Sequence, residues 1–143
     1  MSNLTPYIHF TNTAREALEF YKEAIGGELI LNTFRESGME VEENELDLLM
    51  HGQLSAGNGM ILMASDTPAH MGTIPEPNNI SISLSGESED DAMLSACFEK
   101  LAEGGNITQP LVTAPWGAKF GMLTDKFGKD WMVNIQAAAA TEA

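Results

Sequence analysis

A single cysteine, Cys97, stands in 143 residues. It excludes an internal disulfide and any cysteine-rich metal site, and leaves a reducing cytoplasm as the default compartment. Positive charge is scarce: 7 Lys and Arg face 21 Asp and Glu, a formal net charge of −14. Such a surface repels phosphate backbones and anionic headgroups, which argues against nucleic-acid and membrane partners. No apolar run approaches the roughly 18–20 residues of a membrane helix. The start, Met1 to Pro6, lacks the basic-then-apolar order of a secretion signal. Also missing are a Ser-His-Asp pattern, a phosphate-binding glycine loop and a carboxylate pair at catalytic spacing. What is there is 43% apolar and 20% charged, which fits one soluble globular domain with a proper core.

Hydrophobic period then orders the chain. Tyr7 to Phe10 reads as a strand. Thr13 with Glu16 predicts a capping box, and Ala14, Ala17, Leu18, Tyr21, Ala24 and Ile25 recur at helical spacing. Gly26-Gly27 stops that helix. Strands follow over Leu29–Phe34, His51–Ser55 and Met60–Ala64, the last two flanking Gly57-Asn58-Gly59. Between them, Glu36, Glu40, Glu42, Glu43, Glu45 and Asp47 read as a solvated acidic loop, 36–47; the alternative is an acidic lid over a pocket. Residues 67–78, with Pro68, Pro75 and Pro77, read as a linker. The order then begins again: a strand from Ile80 to Leu84, a cap at Ser88 with Asp91, a helical stripe of Leu94, Cys97, Phe98 and Leu101, then a Gly104-Gly105 stop. Three strands close it, over Ile107–Val112, Phe120–Thr124 and Trp131–Gln136. The tail, 137–143, has little to pack.

The doubled order predicts an α+β fold of two βαβββ modules, about 4–66 and about 79–136. One helix covers one face of each sheet, so two modules side by side form a curved, incomplete barrel-like sheet with helices outside and a cavity within. Alternation assigns the cavity lining. Ile8, Phe10, Ile80 and Ile82 face the helices, so Tyr7, His9, Asn79 and Ser81 face the cavity, joined by Met132 and Asn134 from the last strand. His51 is a candidate contact from the third strand. Trp116, in a Pro-Trp-Gly turn, either stacks on a ligand or seals the core. Asp66 reads as a turn residue, Asp125 as a turn carboxylate bonded to its own backbone, and Cys97 as core.

Pro6-Tyr7-Ile8-x-Phe10, Ala17-Leu18-x-Phe20-Tyr21 with Gly26-Gly27, the run Ile61 to Asp66, Trp116-Gly117 with Phe120-Gly121, Thr124 to Gly128 and Trp131 to Asn134 resemble the PhnB-like proteins over nearly the whole chain. That family resembles the vicinal-oxygen-chelate superfamily of glyoxalases, bleomycin-resistance proteins and extradiol dioxygenases. The resemblance implies paired βαβββ modules and a homodimer. Some relatives are labelled demethylubiquinone methyltransferases, but this chain has no Gly-x-Gly loop between a strand and a helix to hold a nucleotide-like methyl donor.

Metal-using relatives take one ligand, His or Glu, from the first and last strand of each module. Those places fall here on Tyr7, Met63, Asn79 and Met132. Divalent ions favour imidazole and carboxylate, so no resident metal and no other cofactor is expected. The counter-arrangement pairs His9 with His51 as a site for a labile divalent metal, across two strand spacings of about 10 Å. The reading that follows is a metal-free binding module for a small, partly apolar molecule. The alternatives are a metal-dependent lyase, isomerase or dioxygenase, with His9 as acid/base, and an accessory protein whose cavity is vestigial.

Overall fold

Alternation along each strand decides which side chains lie under a helix and which do not, and it does so twice in this α+β chain. The computed structural model describes residues 4–38, 40–71 and 80–137. The chain divides into two units, 1–78 and 79–143. The first contains β1 (Tyr7–Phe10), α1 (Ala14–Ile25), β2 (Glu28–Thr33), a short α2 (Phe34–Ser37), β3 (Leu49–Ser55) and β4 (Ile61–Asp66). Its sheet runs β1-β4-β3-β2, with β1 parallel to β4 and the other pairs antiparallel. The second contains β5 (Ser81–Gly86), α3 (Asp91–Ala102), β6 (Asn106–Thr113), β7 (Lys119–Thr124) and β8 (Asp130–Ile135). Its sheet runs β5-β8-β7-β6, again with one parallel pair.

Each helix lays its apolar stripe on one face of its own sheet. Ala14, Ala17, Leu18, Tyr21 and Ala24 are buried in α1, and Leu94, Cys97, Phe98 and Leu101 in α3. The strands answer with Phe10, Leu54, Leu62 and Ala64 in the first unit, and with Leu84, Leu123, Trp131, Val133 and Ile135 in the second. Each fully buried Leu or Phe of this set contributes roughly 1.5–3 kcal/mol. The repeat extends to backbone approach. A Cβ at Gly52 would run into Leu18 of α1, and one at the equivalent Gly121 would run into Phe98 of α3 and Leu111 of β6. Both glycines let the helix sit closely on the third strand of its unit.

Several local readings are corrected. Thr13 makes no side-chain cap bond to α1. The Ala14 amide donates instead to Asp66 Oδ1, 2.9 Å away at the end of β4. Asp66 is therefore not a turn residue: it is buried, and its other oxygen accepts from the Leu49 amide at 3.0 Å. A carboxylate at this place satisfies an orphan helix amide and opposes the positive end of the helix, so the threonine hydroxyl is not needed. The second cap lies one residue earlier than Ser88 and Asp91 suggest, on Glu87 with Asp90. Asp91 instead accepts from Lys119 and Ser95, in that order of influence, and both hold its carboxyl below the usual range.

Phe34 leaves the second strand and opens α2, whose capping box is Thr33 with Glu36. The acidic loop is not wholly solvated. Glu45 is buried and accepts from the Ala69 amide at 2.9 Å, which stitches the loop to the segment after β4. Ile80 does not face a helix; it is 72% exposed, because β5 begins only at Ser81. In the linker, Ala69–Met71 form a 3-10 turn. Residues 72–78 and the tail from 138 lie outside the described residues.

Asp66→Ala should destabilise the fold by about 2–4 kcal/mol, since two buried amides lose their acceptor. Asp66→Asn, which keeps one carbonyl oxygen, should lose about half as much. Urea denaturation of the three proteins measures this, and a wild-type midpoint for Asp66→Ala would contradict the role.

Candidate functional site

The face of each sheet turned away from its helix carries the polar and adaptable side chains. In the first unit, Tyr7 of β1 pairs with Met63 of β4, which pairs in turn with Gln53 of β3. One step along, His9 pairs with Ser65, and Asn32 of β2 pairs with His51 of β3. Tyr7 ties this surface together. Its hydroxyl lies 3.2 Å from His51 Nδ1, and its ring lies 5.3 Å from that of His9 and 5.7 Å from that of His51. His9 and His51 thus share one face, linked through the tyrosine that stands between them.

In the second unit, Ser83 pairs with Met132 and Ser85 with Asn134. Phe120 lies beside Asn134, and Met122 beside Met132. Met132 and Asn134 are half-buried, and Ser81 begins the row of serines. Trp116 does not seal the core. It is 69% exposed, in a turn closed by the Gly117 amide on the Ala114 carbonyl, and meets the Phe120 ring edge-on at 6.1 Å. Asn79 lies outside the described residues. The residue beside Met132 is Ser83, two positions beyond Ser81 on the same face of β5. Ser65 and Gln53 were not singled out from the sequence. Ser65 follows from alternation, two residues beyond Met63, whereas Gln53 needs the register of β3 against β4.

Two other titratable candidates are structural. Asp125 is buried and accepts from the Phe127 and Lys129 amides and from Trp131 Nε1 at 2.8, 3.0 and 2.8 Å. Cys97 lies on the buried stripe of α3, where burial pushes its thiol pKa up, so little thiolate forms at neutral pH.

A sequence profile of the glyoxalase/bleomycin resistance protein/dioxygenase superfamily matches residues 4–133. The chain belongs to that superfamily. Protein PA1353 of Pseudomonas aeruginosa is 36% identical, with 96% of this chain and 99% of that one covered and a TM-score of 0.83. A PhnB protein from Bacillus cereus, named a 3-demethylubiquinone-9 3-methyltransferase, shares the fold at 24% identity, with coverage of 94% and 99% and a TM-score of 0.67. Protein YjdN of Escherichia coli is 24% identical over 97% of this chain and 99% of its own length.

Metal-using members of the superfamily hold their ion with imidazole and carboxylate donors. The places beside one another on the outer pair of strands hold Tyr7 and Met63 in one unit and Ser83 and Met132 in the other. Phenol, thioether and hydroxyl are poor partners for zinc, nickel or iron(II) beside imidazole and carboxylate. Among the described residues no group of three or more His, Cys, Asp and Glu side chains is arranged to hold a metal. At these places the described side chains do not match that donor set.

A phenol hydroxyl is a better donor than acceptor, so Tyr7 should donate to His51 Nδ1 and hold the neutral ring with its proton on Nε2. Replacing the hydroxyl in Tyr7→Phe should shift the His51 tautomer population toward Nδ1–H, read by long-range proton–nitrogen NMR; an unchanged population would show the bond is not formed in solution. Cys97 should react with Ellman's reagent only after unfolding, and rapid labelling of the native protein would contradict its burial.

Proposed function

We propose that this protein binds a small, partly apolar molecule on the open face of its first unit, without a tightly held divalent metal. The observation that carries the reading is the Tyr7–His51 hydrogen bond, with the tilted His9 ring 5.3 Å from that of Tyr7. These three groups, with Gln53, Asn32 and Ser65 beside them, share the face with the apolar side chains of Met63 and Ile30. Few, fixed polar groups on an apolar surface orient a small ligand. The open face of the second unit, with Phe120, Met122, Met132 and Asn134, has the same character, and its methionines can adapt to irregular shapes. Superfamily membership supports small-molecule chemistry in general, and the donor set argues against the metal-dependent lyase, isomerase or dioxygenase reading. The same proposal takes the protein as a cytoplasmic homodimer, on the resemblance to PhnB-like proteins and its single buried cysteine.

A second reading, catalysis with His9 as acid/base, is favoured by one feature: His9 is an exposed imidazole within 5.3 Å of a tyrosine ring. His9→Ala separates the two. A binding protein keeps its co-purified ligand, at reduced occupancy, whereas an enzyme accumulates unconverted substrate.

Calorimetric titration with zinc and nickel chlorides should give no stoichiometric binding tighter than about micromolar. A one-to-one complex well below that would overturn the metal-free reading. Native mass spectrometry of protein purified without added ligand should show a small organic adduct.

A further inference from the structure

Within the first unit, a cleft of about 240 Å³ is lined by His9, Phe34, Met50, Ser65, Thr67 and Pro68, with Asp66 in its wall. Its construction is local and specific. The pairing of β2 with β3 slips between Asn32 and Thr33: Asn32 lies opposite His51, but Thr33 lies opposite Leu49. Met50 is the extra residue of this β-bulge, and bulges re-aim side chains beside binding sites. Here the bulge leaves Met50 half-buried in the cleft wall. Phe34, the first residue of α2, is buried against the same space. Asp66 fixes two neighbouring edges through the Ala14 and Leu49 amides, and Glu45 ties down Ala69 just past Pro68.

The lining specifies a ligand. The volume exceeds the roughly 150 Å³ that holds a benzene molecule in an apolar cavity and falls short of the about 300–1,000 Å³ of sites for larger ligands. It fits one ring with a substituent. Phe34, Met50 and Pro68 supply apolar wall, while His9 and Ser65, paired across β1 and β4, supply the polar side. The Asp66 carboxylate and the net charge of −14 disfavour an anion, and both Asp66 oxygens already accept backbone amides, so an ammonium group entering this largely apolar cleft has no uncommitted carboxylate to offset its desolvation. Resting on the reading above, we infer that this cleft is a binding site for a neutral monocyclic molecule with one hydroxyl, held by His9 and Ser65 and packed on the Met50 bulge.

Phenol is the probe, with benzoate and benzylamine as its charged counterparts, in NMR titrations of the full-length protein. Phenol should produce saturable shifts at the Phe34, Met50 and Ser65 amides, and bind more tightly than either charged analogue. Ser65→Ala should weaken phenol about five-fold, the loss of one hydrogen bond. Met50→Ala, at a half-buried bulge position, should weaken it while keeping a dispersed native spectrum. The inference is overturned by no saturable shift, by tighter binding of benzoate or benzylamine, or by wild-type affinity in both variants. Shifts confined to Tyr7 and His51, or to Met122, Met132 and Asn134, would also overturn it, yet leave the broader binding function standing, because a ligand would then occupy an open face elsewhere.

Discussion

One helix can cover only one face of a four-stranded sheet. Everything else in the two units follows from that constraint. Apolar residues every second position commit one face of each strand to α1 or α3, and glycines at 52 and 121 bring the helix close to the third strand. The opposite face is then free to carry Tyr7, His9, His51 and Ser65 in one unit and Ser83, Met132 and Asn134 in the other. Burial energy is supplied on one side of the sheet, and recognition chemistry accumulates on the other.

The first unit adds a device of its own. Asp66 joins the start of α1, the start of β3 and the end of β4 through two buried hydrogen bonds. The neighbouring slip in register at Met50 and the turn into α2 at Phe34 would otherwise leave this end of the sheet poorly tied. The acidic loop takes part: Glu45 is turned inward onto Ala69, while Arg35 and Asp47 pair at its exposed edge, where an ion pair contributes little. Most of the negative charge remains on the surface, while Glu36 caps α2 and Glu45 holds the Ala69 amide.

The element order, the doubled unit and the identity of the helix-covered face were legible in the sequence, because they rest on period and on glycine stops. The faces of Tyr7, His9, Met132 and Asn134 follow from the same rule. What the sequence hid were the long-range hydrogen bonds. A Thr13–Glu16 pattern looks like a capping box from local spacing, and only the fold shows that Asp66, 52 residues away, takes the bond. The bulge at Met50 is equally silent, since one unpaired residue does not alter composition. The start of β5 was displaced by one residue: Ile80 matches the apolar pattern of Ile82 and Leu84, although the ladder begins after it. The sequence offered His9 with His51 as one alternative and put Tyr7 on the same face as His9, but not the hydrogen bond that joins Tyr7 to His51.

The account stands on the claim that Tyr7, His9, His51 and Ser65 recognise an organic molecule and do not hold a metal. The most direct measurement is a crystal structure of protein purified without added ligand, with anomalous maps recorded at the zinc and nickel edges. The account predicts organic density against these side chains and no anomalous peak. A fully occupied anomalous peak bonded to His9 and His51 would contradict it.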